Sequence, residues 1–297
     1  SGPGLALMSE SLGLAVASET PVCVLNVMRA GPSTGIPTKS EQGDLSIALH
    51  GLHGDAPHLV LAPLDIADCV FTTGWAVKLA QHLQTAAIVL SDQFLGQSTA
   101  VVSAPRRCEW QPPAMASTDD NNFLRYRLTD SGVSTIAFPG EPDHRYTADG
   151  LQHDERGTPS AGVTDHRRQL DKRLTKLTNF DFGDDWARIS GHGAVVLLAF
   201  GSAASAIEEA AGLLDAAGIE ITTVALRLLA PLSTTALAAL LADRRHLVVV
   251  EQNHSAQLCH YLRSELELPP WSSYAVPGPV PLSADAIARF TMEVLDA

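Results

Sequence analysis

The residue best placed to do chemistry is an arginine at the end of an apolar run. Residues 22–28 read VCVLNVM, and the next ten, 29–38, read RAGPSTGIPT. This stretch sets the guanidinium of Arg29 beside the hydroxyls of Ser33, Thr34 and Thr38, in a frame of two glycines and two prolines. A guanidinium is a planar fork that grips a carboxylate through two parallel hydrogen bonds. Hydroxyls can donate to a carboxylate or a keto oxygen, and the glycines and prolines fix an unusual backbone path. The pattern therefore suits a pocket for a small carboxylate. The residues alone leave a second reading open, in which Arg29 pairs with Glu41 or Asp44 and the hydroxyls only cap the next helix.

Other groups are weaker. Ser1, Gly2 and Gly4 open a helical pattern and could offer free amides to an anion or cofactor, or simply cap the helix. His153, Asp154 and Glu155 are consecutive and point in different directions, which suits a solvated or interface loop better than a metal site. His50 and His53 lie near the arginine loop in sequence, and hydrogen bonding to backbone explains them more simply than proton transfer. Asp92 ends an apolar run and reads as a cap. No metal site is expected.

Three segments must position the loop. In the first, 1–105, apolar runs at 22–28, 59–62 and 86–91 alternate with helical patterns at 5–17, 42–50 and 66–83. Such alternation predicts a parallel sheet covered on both faces. The segment 106–188 is irregular, with one helix expected at 165–177, and reads as a connector or interface. From 189 to 297 the alternation resumes, with strands at 194–200, 220–226 and 246–251 and helices at 203–217, 234–242, 256–265 and 284–295. This predicts a second parallel-sheet domain with a core of its own. A strand would normally precede the first helix, so the first domain is expected to be truncated at its amino end.

Composition narrows the function classes. A length of 297 residues suits two domains, and a net charge of −13 argues against a nucleic-acid or anionic-membrane partner. The four cysteines form no CxxC pair, so an iron–sulfur or zinc site within this chain is not expected. Their usage fits a reducing cytoplasm, and no apolar run reaches the roughly 18 residues of a membrane span.

Six runs together resemble a known family: MRAGPSTGIPTKSEQGDL around Arg29, SGPGLALMSESLGLA, LAPLDIADC, LSDQFLGQS, GLQHDERGTPS and VVVEQNHSAQLCHYLR. Taken in their order along the chain they resemble the large (alpha) subunit of 2-oxoacid:ferredoxin oxidoreductases, and LSDQFLGQS and GLQHDERG resemble its 2-oxoglutarate-type branch. The resemblance implies an α/β fold of two parallel-sheet domains. One is a truncated pyrimidine-type thiamine diphosphate domain, and the other is like the carboxy-terminal domain of transketolases. It implies oxidative decarboxylation of a 2-oxoacid, with thiamine diphosphate supplying the hard chemistry. Electrons pass through iron–sulfur clusters to ferredoxin, and coenzyme A takes the acyl group. By motif, Arg29 and Thr38 contact the 2-oxoacid, and Ser1–Gly4 lies near the pyrimidine.

The resemblance also implies what another polypeptide must supply. The acceptor glutamate and the YPITPS-type loop belong upstream of SGPG, and Glu10 does not take that role. The GDG…N motif that holds diphosphate and magnesium belongs to the small (beta) subunit, as does the [4Fe-4S] cluster; Gly183-Asp184-Asp185 lacks the second glycine. This chain alone is expected to be inactive. Met28 and Ala30 depart from the family's Gln and Gly, which leaves the substrate's identity open. The 251–253 loop of the second domain is given no catalytic role. Two rivals stand beside this reading. One is a catalytically incomplete remnant with a structural or binding role. The other is transketolase-like carbon transfer, disfavoured because no basic cluster of phosphate-binding size accompanies Arg29.

Overall fold

A computed structural model describes residues 1–37, 39–109, 112–117 and 122–296. Two α/β layers account for most of it. The first half runs α1 (Gly2–Leu7), α2 (Ser9–Ala17), β1 (Val22–Met28), α3 (Leu45–His50), β2 (Leu59–Leu61), α4 (Ile66–Leu83), β3 (Ala86–Asp92) and α5 (Gln93–Gln97). After a long irregular stretch come α6 (Val163–Thr178), a 3-10 turn (Gly183–Trp186) and β4 (Ala187–Gly191). The second half follows as β5 (Val195–Phe200), α7 (Ala203–Ala216), β6 (Ile221–Leu226), β7 (Leu228–Ala230) and α8 (Thr234–Leu241). It ends with β8 (His246–Glu251), α9 (Gln257–Glu265), β9 (Trp271–Ala275) and α10 (Ala284–Asp296).

The first sheet has the order β1-β3-β2-β7 and the second β4-β6-β5-β8-β9. Both are mostly parallel, as the alternation predicts. Strands such as β3 and β5 read as continuous apolar runs because helices cover both their faces. Two strands depart from the parallel pattern. β4 pairs antiparallel to β6, and β7 crosses back to pair antiparallel with β2. β7 therefore closes the first sheet with residues from the second half of the chain. The second domain accordingly has no separate core on that side. Val196, Leu198, Phe200 and Leu226 share one apolar cluster with Leu61, Phe71, Trp75 and Ile88. Its other face, where Ile207, Leu214 and Ile287 pack on Leu197 and Val248, forms a cluster apart.

The helix expected over 5–17 begins at Gly2 and breaks at Met8. Pro3 stands in the first turn, where its missing N–H costs nothing. At the break, the Ser9 hydroxyl donates to the Ala6 carbonyl (3.0 Å), competing with the helical pattern. α4 follows its pattern closely. Asp65 caps it by accepting from the Asp68 N–H (2.8 Å), and Phe71, Trp75, Leu79 and Leu83 line its buried face at helical spacing.

The stretch 106–188 packs against the first sheet through a buried ionic cluster. Glu19 is fully buried, and its carboxylate meets Lys172 and Lys176 at 2.6 and 2.7 Å and Arg125 at 3.7 Å. It occupies the position just past the end of α2. There its N–H and that of Thr20 return to the carbonyls of Val16 and Ala15 (3.3 and 2.8 Å). Its φ is +52°, the left-handed conformation for which helix ends normally use glycine. α6 thus buries Gln169, Lys172, Arg173 and Lys176 and leaves Leu174 exposed.

Candidate active site

The site forms where β1 ends and the chain enters the loop toward α3. In parallel α/β sheets this carboxyl edge is where ligands bind. The Ala30 N–H donates to the Lys39 carbonyl (3.0 Å) and closes the loop at its base. Within it, the Gly35 N–H returns to the Pro32 carbonyl (3.1 Å) across a turn in which Ser33 has φ +56°. Gly35 itself has φ +56°, and a Cβ there would stand 1.5 Å from the Ala30 oxygen, so only glycine fits. Ala30 is buried and is not on the cavity wall, so its methyl does not intrude on a ligand.

A cavity of about 540 Å³ opens beside this loop. Arg29, Gly31, Pro32 and Ser33 form one wall, and Gly2 and Pro3 of α1 another. Glu41, Gly43 and Asp44 form a third, and Asn253, His254, Ser255 and Gln257 of the second domain a fourth. Arg29 is the one permanent cation among the described lining residues. Its Nε is buried without a hydrogen-bond partner, and no described residue forms an ion pair with the guanidinium. The acids that might have neutralised it are engaged elsewhere. Asp44 accepts from Asn26 Nδ2 (2.9 Å), and Glu41 accepts from the Gly278 N–H (2.9 Å). The pairing of Arg29 with either acid, left open from sequence, does not form. A buried donor without a partner is costly, and such groups in native proteins call for a ligand or water. The arrangement fits a small anion.

The expected site residues separate here. Arg29, Ser33 and Gly2 share the cavity, whereas Thr34 is exposed outside its lining and Ser1 and Gly4 also lie off the wall. Thr38 lies outside the described residues. Gly2 is needed for packing, since a Cβ there would stand 2.5 Å from Asp44 Oδ1. His50 packs edge-on against Tyr261, and His53 reaches Glu10 at 3.6 Å; neither lines the cavity. His153 is buried, with its ring nitrogens at 3.0 and 3.2 Å from the Asp154 and Ala17 carbonyls. No cluster able to hold a metal occurs among the described residues.

The fourth wall escaped sequence reasoning. A set of amides presses it against the arginine loop. Gln42 donates its side-chain Nε2 to the Phe200 carbonyl and its N–H to the Gln252 carbonyl, both at 2.7 Å. Gln257 donates to the Gly43 carbonyl (2.9 Å) and accepts from the Ser46 N–H (2.8 Å). This use of residues 42–44 is why α3 begins at Leu45 and not at 42. Beneath the wall, the buried Glu251 carboxylate accepts from the Leu258 and Cys259 N–H groups (2.7 and 3.0 Å) and fixes the start of α9. Burial pushes its pKa up despite these donors. The available signal was that Glu251-Gln252-Asn253 follows an apolar strand, as Arg29 follows β1.

Comparisons with known proteins identify the family. Residues 1–172 match the family described as "Pyruvate flavodoxin/ferredoxin oxidoreductase, thiamine diP-bdg", and residues 184–292 match the transketolase C-terminal domain. The chain belongs to this pyruvate flavodoxin/ferredoxin oxidoreductase family of thiamine-diphosphate-binding domains. It is 33% identical over 258 residues to the 2-oxoglutarate synthase subunit KorA of Archaeoglobus fulgidus, covering 87% of this chain and 68% of that one. It is 30% identical over 281 residues to the 2-oxoacid:ferredoxin oxidoreductase subunit alpha of Saccharolobus solfataricus, covering 91% of this chain. A solved 2-oxoglutarate:ferredoxin oxidoreductase from Magnetococcus marinus, with 2-oxoglutarate, coenzyme A and succinyl-CoA bound, superposes with a TM-score of 0.91 at 35% identity over 98% of this chain. The chain spans 44% of the Saccharolobus relative and 52% of the Magnetococcus chain.

Proposed function

We propose that this chain forms part of the large subunit of a 2-oxoacid:ferredoxin oxidoreductase acting on 2-oxoglutarate, with Arg29 receiving the carboxylate next to the keto group. The observation that carries this reading is the unpaired Arg29 guanidinium facing the cavity while Glu41 and Asp44 are both engaged elsewhere. The activities of the Archaeoglobus and Magnetococcus relatives support the choice of acid.

Each residue then has a task. Arg29 orients the carboxylate by a two-pronged grip. It should orient more than it stabilises, because an interaction equally strong before and after the barrier does not speed the step. Ser33 reaches the same ligand from the tight turn. Thr38, nine residues after Arg29, is proposed as a second donor from spacing alone, as is Thr34, which lies off the lining of this cavity. Gly2 and Pro3, with Ser1 and Gly4 beside them, would form the side toward a bound cofactor. When bound, thiamine diphosphate supplies the nucleophile and electron sink that amino-acid side chains lack.

The small (beta) subunit would complete the site, holding the diphosphate with its magnesium ion and the [4Fe-4S] cluster. Coenzyme A and ferredoxin would act on the assembled complex, in the cytoplasm. We keep 1–105, 106–188 and 189–297 as the functional division of the chain. The test is to assemble the full complex with its small subunit and follow ferredoxin reduction on adding 2-oxoglutarate and coenzyme A. Reduction should require both additions. A well-folded complex that binds thiamine diphosphate but reduces nothing with any 2-oxoacid would instead mark a structural or binding remnant.

A further inference from the structure

We infer that His254 and Ser255, from the transketolase-type domain, receive the far carboxylate of a dicarboxylic 2-oxoacid whose near end is held by Arg29. The inference rests on the function proposed above and adds a second point of attachment.

Both residues line the same cavity as Arg29, on the wall contributed by the other domain. Among the walls that this chain supplies, a dicarboxylate anchored at Arg29 has three on which to place its second charge. The wall of Glu41 and Asp44 carries two carboxylates and repels it. The wall of Gly2, Pro3 and Ala6 offers no polar side chain. On the last wall, the Asn253 and Gln257 side chains are already committed. Asn253 Nδ2 donates to Glu251 and to the Gln42 carbonyl (2.6 and 3.3 Å), and Gln257 is bonded to Gly43 and Ser46. His254 and Ser255 remain exposed, and their side chains form no hydrogen bond or ion pair with any described residue. They are the donors on this wall still free for a ligand.

The backbone beneath them is held rigidly. Ala256 has φ +51°, a left-handed conformation costly for a residue with a Cβ. The buried Glu251 below the loop and the Gln42 and Gln257 latches beside it hold that conformation. Strain of this kind, kept at a cavity wall and fixed from both sides, fits a loop whose side chains must be presented in one place.

The assembled complex tests this with two acids that share a 2-oxocarboxylate head, 2-oxoglutarate and 2-oxobutanoate, of which only the first has a far carboxylate. In His254→Leu the ratio of kcat/KM for 2-oxoglutarate to that for 2-oxobutanoate should fall about 10- to 100-fold, carried by KM. Ser255→Ala should lower the ratio by a smaller factor. His254→Gln, which keeps a donor, should recover much of it. Arg29→Lys, acting on the shared head, should weaken both acids and leave the ratio nearly unchanged. Equal loss on both acids in His254→Leu, or an unchanged ratio, overturns the assignment of His254 while leaving Arg29 in place. A wild-type complex inert with both acids overturns the parent reading and this one with it.

Discussion

Arg29→Ala in the assembled complex should lower kcat/KM for the 2-oxoacid about 100- to 1,000-fold and leave the affinity for thiamine diphosphate within about twofold. The size follows from removing one partner of a charged, largely desolvated pair, which costs roughly 2–5 kcal/mol. The loss should enter both KM and kcat. KM rises because the carboxylate loses its anchor, and kcat falls because the keto carbon is no longer held in line for attack. Cofactor binding should be spared because, in the function proposed above, the small subunit would hold the diphosphate. Steady-state ferredoxin reduction over a range of 2-oxoacid concentrations, with calorimetric titration of thiamine diphosphate, separates the two effects. Folding should be unaffected, since Arg29 makes no side-chain hydrogen bond or ion pair with any described residue.

The second large effect lies in the interior, away from that cavity. Glu19→Gln leaves Lys172, Lys176 and Arg125 converging on a neutral amide. Removing one member of a buried ionic cluster costs about 3–5 kcal/mol because the remaining charges lose their compensation. The apparent Tm should fall by several degrees, and the helix bearing Lys172 and Lys176 should show faster amide exchange. Glu19→Gly suits the left-handed backbone better but still loses the charge, so it should remain strongly destabilised.

The same cluster sets a pH dependence. Burial pushes Glu19 up, but Lys176, Lys172 and Arg125 outweigh it and bring its pKa from 4.5 down to about 2. Its contribution is therefore complete above pH 4.5 and is lost as the pH falls toward 2, a difference of about 3 kcal/mol. Burial, together with Lys172 and Arg125, brings Lys176 down to about 7. Between that value and 10.5 the unfolded chain binds the proton that the folded one has released, so stability rises further with pH. Denaturation profiles of wild type and Glu19→Gln should converge in acid, because protonating Glu19 removes the same charge as the substitution.

How much of this was legible in the sequence depended on whether a signal was local. The apolar run 22–28 and the glycines and prolines after it marked both the strand and the loop, and Gly35 shows why, since no other residue fits against the Ala30 carbonyl. α4 matched its pattern because a single apolar face decides its packing. The buried face of α6 was not legible. Basic residues at helical spacing normally mark a solvated surface, and it is chiefly Glu19, more than 150 positions away in sequence, that turns Lys172 and Lys176 inward. β7 was missed for a similar reason, since three residues carry no period and their partner strand lies in the other half of the chain. The wall bearing His254 lay next to a readable strand, but its place in the same cavity as Arg29 depends on the Gln42 and Gln257 latches, which join positions far apart in the chain.

A structure of the assembled complex with 2-oxoglutarate bound, under conditions that stop turnover, tests the central claim most directly. The near carboxylate should lie within about 3 Å of the Arg29 guanidinium in a two-pronged contact. A substrate bound elsewhere, with Arg29 turned onto Glu41 or Asp44, would contradict the account.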